Sequence, residues 1–132
     1  MAQATTLWKF YVRRVNFPFR VWLNSQYEKL VKFLRGHIMF YVYILLSLKD
    51  KNFYIGYTFN LKQRLKQHFL GEVISTKSRL PLKLIYYEAF INKTDAKKRE
   101  KFLKSGSGLK FLKKQLVNTL EIYISFWLAI YS

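Results

Sequence analysis

Two short apolar-aromatic runs constrain this chain more than any other feature: Phe40-Tyr41-Val42-Tyr43-Ile44-Leu45-Leu46 and Asn52-Phe53-Tyr54-Ile55-Gly56-Tyr57-Thr58. Both are rich in β-branched and aromatic residues, and the polar stretch Ser47–Lys51 separates them. Such runs read as two strands joined by a hairpin turn, over about Phe40–Ser47 and Asn52–Thr58. The hairpin puts Tyr43 and Tyr54 on neighbouring strands.

The residues after the hairpin continue an orderly pattern. Asn60 is a good N-cap, Gln63 takes the capping-box position and Gly71 suits a helix end, so a helix is expected from about Leu61 to Phe69. A loop with Ser75, Thr76, Ser78 and Pro81 is expected next, then a third strand over Leu82–Phe90. Thr94 is read as the cap of a second helix, from about Asp95 to Lys104, stopped by Ser105-Gly106-Ser107-Gly108. Leu109, Leu112 and Leu116 would share one face of a third short helix over Leu109–Leu116.

The ends differ in texture. Residues 1–38 mix Trp8, Phe10, Tyr11, Phe17, Phe19 and Trp22 with Arg13, Arg14, Arg20 and Lys32. Charges interrupt every apolar run there, so neither a spanning helix nor a secretory signal fits. A basic amphipathic helix over about Gln26–Leu34 is expected, within an appendage or an over-extended translation start before Met39. Residues 39–118 carry the organised signals. Thr119–Ser132 is an apolar tail with Phe126, Trp127 and Leu128, too short to span a bilayer and suited to docking on the domain or to an interfacial anchor.

Charge narrows the partners. The 24 Lys and Arg residues against 7 acidic ones give a net charge of +17, which attracts polyanions; nucleic acid ranks first and anionic membrane surface second. A hydrophobic content of 51% is too high for a disordered chain, and 132 residues suffice for one domain with a modest core. No cysteine is present, which removes disulfide-linked partners and thiolate chemistry and suits a cytoplasmic setting.

Arg64 and His68 lie four apart on the first expected helix, and so on one face. By themselves they fit a solvated basic surface with Lys62 and Lys66 as well as a functional pair. Glu100 takes a slot on the apolar side of its helix, between Ala96 and Leu103. A carboxylate there must be paired, hydrogen-bonded or bound to a cation, and both an ion pair with Lys97 or Lys104 and a metal role remain open.

In order and spacing these elements resemble the GIY-YIG nuclease superfamily, in its small stand-alone bacterial branch related to the incision module of nucleotide-excision repair. Tyr41-Val42-Tyr43 stands at the first tripeptide and Tyr54-Ile55-Gly56 at the second, followed by Arg64, His68, Pro81–Glu88 and Arg99-Glu100-Lys101. The resemblance covers about residues 39–115, with Tyr41 in place of the family's glycine. It implies an α/β (α+β) fold, a small three-stranded mostly antiparallel sheet flanked by helices in the order β-β-α-β-α-α. It further implies hydrolysis of phosphodiester bonds in DNA with one divalent cation, Mg2+ or Mn2+, held by Glu100. Tyr43, Tyr54, Arg64, His68 and Glu100 would be catalytic, and Gly56, Thr58, Lys66, Lys77 and Arg79 would contact substrate. Structure-directed or weakly specific cutting in DNA repair or recombination is expected. A non-catalytic nucleic-acid-binding module and a basic membrane-surface protein are the alternatives.

Overall fold

The computed structural model describes residues 17–131; Trp8, Phe10, Tyr11, Arg13 and Arg14 lie outside the described residues. The chain divides into two compact units, residues 1–37 and 38–132. In the first, α1 runs over Phe17–Gly36, longer at both ends than the expected Gln26–Leu34. Leu23, Tyr27 and Val31, four apart, are its partly buried positions, while Trp22, Leu30, Phe33 and Leu34 are exposed.

The second unit is an α+β domain. Its elements are β1 (Phe40–Ser47), β2 (Phe53–Thr58), α2 (Leu61–Phe69), α3 (Ile74–Lys77), β3 (Leu82–Phe90), α4 (Lys93–Lys104), α5 (Gly106–Gln115) and α6 (Val117–Tyr131). The three strands form one antiparallel sheet in the order β2-β1-β3. β1 is central and covered on both faces, which explains its continuous apolar run where a half-exposed strand would alternate.

Each face of the sheet carries its own core. Val42, Ile44 and Ile55 pack with Ala96 and Leu103 of α4 and Leu112 of α5. Tyr43 and Leu45 face the other way, with Leu82, Tyr54 and the α2 residues Leu61 and Leu65. Leu103 and Leu112 are fully buried, each contributing about 2 kcal/mol relative to exposure.

The local signals mostly hold. The Asn60 side chain accepts from the Gln63 N–H at 3.1 Å and caps α2. At the other end Gly71 adopts φ +74°, and the Glu72 and Gly71 N–H groups close onto the carbonyls of Gln67 and His68. Three expectations are corrected. The loop before β3 contains the helical turn α3. The cap of α4 is Asn92, whose side chain accepts from the N–H groups of Thr94 and Asp95, so Thr94 lies inside the helix. And α5 begins at Gly106, within the expected stop, because the Ser105 hydroxyl accepts from the Gly108 N–H and restarts a helix at once.

α6 takes up the apolar tail. Leu120 packs against the core, whereas Ile122, Ile124, Phe126, Leu128 and Ile130 are more than half exposed. No helix among the described residues is long and apolar enough to cross a membrane.

Candidate active site

The register of the hairpin places Tyr43 directly opposite Gly56. Opposite residues share a face, so the Tyr43 ring lies across the glycine. A β-carbon at position 56 would strike Tyr43 Cζ and Oη and come within 2.9 Å of Cε1. Gly56 therefore admits the Tyr43 side chain; the close approach is between two parts of this chain.

α2 returns over the same face and meets the ring. The Tyr43 hydroxyl lies 2.7 Å from His68 Nε2 and accepts from Arg64 Nε at 3.4 Å. His68 Nδ1 lies 2.8 Å from the Thr76 hydroxyl on α3. Tyr54 stacks edge-on against His68, with ring centroids 4.9 Å apart, and its hydroxyl bears on both Tyr43 and the Arg64 guanidinium. The i, i+4 spacing of Arg64 and His68 thus delivers both to one phenol.

Burial separates the roles these groups can take. Tyr43, His68 and Thr76 have no exposed surface, whereas Tyr54 and Arg64 are partly exposed. Burial pushes the Tyr43 phenol up to about 12 against the opposing hydrogen bond from Arg64, so it stays protonated at neutral pH. Burial, then the positive charge of Arg64, holds His68 down at about 4, and its imidazole is neutral.

Arg64 carries this buried group to the surface. Its Nη1 donates to Gln67 Oε1 at 3.2 Å, and its side chain lines an open pocket of about 350 Å³. Tyr57, Thr58, Phe59, Asn60, Gln63 and Gln67 complete the lining. Alongside is a second cleft walled by Tyr41, Phe59, Leu61, Lys62 and Tyr87. Tyr41, in place of the family's glycine, thus forms an aromatic wall 6.4 Å from the Tyr87 ring.

Glu100 lies on α4, which packs on the opposite face of the sheet. Its two oxygens accept from Lys97 at 3.2 Å and Lys104 at 2.9 Å. Burial raises the carboxyl, but the bonds from Lys104 and Lys97 outweigh it and hold it below the usual range. Glu100 therefore stays outside the tyrosine–histidine group, yet a short path connects it to the pocket. The Lys97 ammonium sits 3.9 Å over the ring of Tyr57, which lines the pocket beside Arg64.

The other expected contact residues scatter. Thr58 Oγ1 accepts from the Asn60 N–H at 3.1 Å, shaping the turn into α2 at the pocket rim. Lys66 and Lys77 are exposed. Arg79 is engaged in structure: it forks onto Asp50 at 2.7 and 3.3 Å and reaches the Phe53 carbonyl, tying the segment before β3 to the hairpin turn. That fork, with the Asn52 N–H, holds the Asp50 carboxyl down at about 2. Sequence reasoning missed Gln67 and Thr76. Gln67 could have been found from its i+3 spacing to Arg64; nothing in the sequence singled out Thr76.

A divalent cation fits Glu100 only in a limited way. Among the described residues no three His, Cys, Asp or Glu side chains gather into a ligand cluster. One carboxylate matches a hard cation that keeps most of its water and takes the rest of its ligands from a phosphate, as magnesium does.

Comparison with known proteins identifies the domain that holds these residues. The GIY-YIG catalytic domain matches residues 39–113. A UPF0213 protein of Clostridium perfringens is 46% identical over 67 residues, 50% of this chain and 71% of that protein. A UPF0213 protein of Pediococcus pentosaceus is 43% identical over 87 residues, 63% of this chain and 90% of its own. Among solved structures, the solution NMR structure of a UPF0213 protein from Bacillus halodurans is 38% identical, with a TM-score of 0.39, covering 61% of this chain and 84% of that one.

Proposed function

The chain belongs to the GIY-YIG family, with its catalytic domain at residues 39–113, and from that premise we propose that it is a metal-dependent endonuclease hydrolysing phosphodiester bonds in DNA. The observation that carries this reading is Arg64. A permanently charged guanidinium is held at a pocket wall by a buried tyrosine and by Gln67, with the partly exposed Tyr54 hydroxyl also bearing on it. Packing alone has no need of such an arrangement, whereas a scissile phosphate needs a fixed, planar cation.

The roles follow from exposure. Arg64 binds the phosphate and stabilises the charge that develops on it. Tyr54, partly exposed beside Arg64, positions the attacking water. Tyr43 is a positioning residue, since it has no exposed surface and stays protonated. His68 acts in the same way through its bond to Tyr43. Glu100, which now accepts from Lys97 and Lys104, would hold Mg2+ or Mn2+. A cation bound there supplies Lewis-acid polarisation of a phosphate oxygen. Phe59, Tyr87 and Lys62 border the approach and would bind the strand beyond the cut.

A domain this small offers little surface for reading base edges, so cutting is structure-directed or weakly specific, in keeping with repair or recombination in the cytoplasm. The test is a panel of duplex, branched, nicked and single-stranded DNA, with RNA counterparts, incubated with Mg2+ or Mn2+. Divalent-dependent cleavage of at least one DNA structure is expected. Tight binding without cleavage of any member would replace the nuclease reading with that of a binding module.

A further inference from the structure

Thr76 lies at the inner end of the hydrogen-bonded group. It is fully buried on the four-residue helix α3, 2.8 Å from His68 Nδ1, and its hydroxyl is 3.5 Å from the Val73 carbonyl. At the outer end stands Arg64, whose Nε is 3.4 Å from the Tyr43 oxygen. No buried polar side-chain atom among the described residues lacks a partner.

The two ends favour one direction for the bonds between them. A guanidinium can only donate, so the Tyr43 oxygen accepts from Arg64 and its own proton is free for His68 Nε2. A carbonyl can only accept, so the Thr76 hydroxyl donates to Val73 and its oxygen is free to accept from His68 Nδ1. The two requirements meet on one imidazole and select the same tautomer.

We propose that Thr76 is a positioning residue of the active site, holding His68 as the Nδ1–H tautomer so that the Tyr43 proton points inward and its oxygen lone pair is presented to Arg64. The reversed tautomer would put an Nε2–H on the Tyr43 oxygen beside the Arg64 donor and turn the phenol proton towards Tyr54. Arg64 would then share its acceptor with a second donor and be aimed less firmly into the pocket. The effect on cleavage rests on the nuclease reading above, but the proton placement does not.

The chain has only two histidines, His37 and His68, so side-chain nitrogen-15 spectra are readily assigned with a His37→Gln variant. The wild type is expected to show a protonated Nδ1 and an unprotonated Nε2 on His68. Thr76→Val removes the acceptor and should move His68 towards Nε2–H; Thr76→Ser should keep the wild-type pattern. On a cleavable DNA, Thr76→Val should lower kcat roughly tenfold, the size of one hydrogen bond to a charged group, with KM little changed and Thr76→Ser restoring the rate. An Nε2–H tautomer in the wild type, or an unchanged tautomer in Thr76→Val, overturns the assignment. So does a tautomer that moves while kcat stays at the wild-type value. A wild type that holds the Nδ1–H tautomer but cleaves nothing retires the nuclease reading and leaves the proton placement standing.

Discussion

At the scale of single residues, Gly56 and His68 decide what the hairpin can be. Gly56 is required by the Tyr43 ring that crosses it, and Gly56→Ala would drive a β-carbon into that ring. We expect a loss of about 2 kcal/mol in urea unfolding, with activity lost as Tyr43 is displaced. His68 makes stability depend on pH. Its folded value is about 4 against an ordinary 6.5, so between these values the unfolded chain binds the proton and the folded chain does not. Stability is therefore full above pH 6.5 and declines as pH falls towards 4, by roughly 2 kcal/mol at pH 5. Melting curves between pH 7 and 4.5 should show this decline in the wild type and a flatter profile in His68→Gln. A profile equally steep in both would place the acid sensitivity elsewhere.

At the scale of elements, what was legible depended on whether a signal was local. β1, β3 and α2 were readable to the residue, because an unbroken β-branched and aromatic run, or an Asn cap with a Gly stop, is a complete instruction by itself. α3 was not. Val73 caps it without a side-chain bond, and four residues carry no periodicity. With that turn went Thr76, which reads as an ordinary loop residue until the fold places it under His68. Asn92 and Thr94 are both good caps two residues apart, and only the geometry shows that Asn92 reaches both free N–H groups. The α4–α5 junction misled for a different reason. Gly108 reads as a helix stop, but it is glycine because a β-carbon there would strike the Phe102 carbonyl and lie 2.5 Å from Leu103 Cα. Gly108→Ala should therefore cost about 2 kcal/mol or more by forcing the helices apart, whereas Gly106→Ala, with nothing within 4 Å, should be neutral or stabilising by a few tenths. Thermal melts of the two variants compare them directly. Of the site, Tyr43, Tyr54, Arg64 and His68 were legible as a group, but their division into buried and exposed members depends on packing across the sheet and was not.

At the scale of the whole molecule, charge and architecture divide the work. A net charge of +17 draws the chain to a polyanion from any direction, and the sheet and α2 then present one fixed cation, Arg64, at a pocket. Binding to DNA should weaken steeply with salt, on the order of a thousandfold between 50 and 200 mM if about six phosphates are contacted. Residues 38–132 contain both faces of the core, so a chain begun at Met39 is expected to keep the sheet and the Tyr43–His68 contact, as amide spectra would report. Glu100 lies on α4, on the face of the sheet opposite α2, and Lys97 links its carboxylate to the Tyr57 ring that lines the pocket beside Arg64. The most direct test is cleavage of a supercoiled plasmid with Mg2+ by the wild type and by Glu100→Ala, with folding and DNA binding measured on the same samples. The wild type should nick the plasmid only with the cation, and Glu100→Ala should bind DNA and stay folded yet leave it intact. Equal nicking by the two proteins, or nicking that survives removal of divalent cations, would contradict the mechanism.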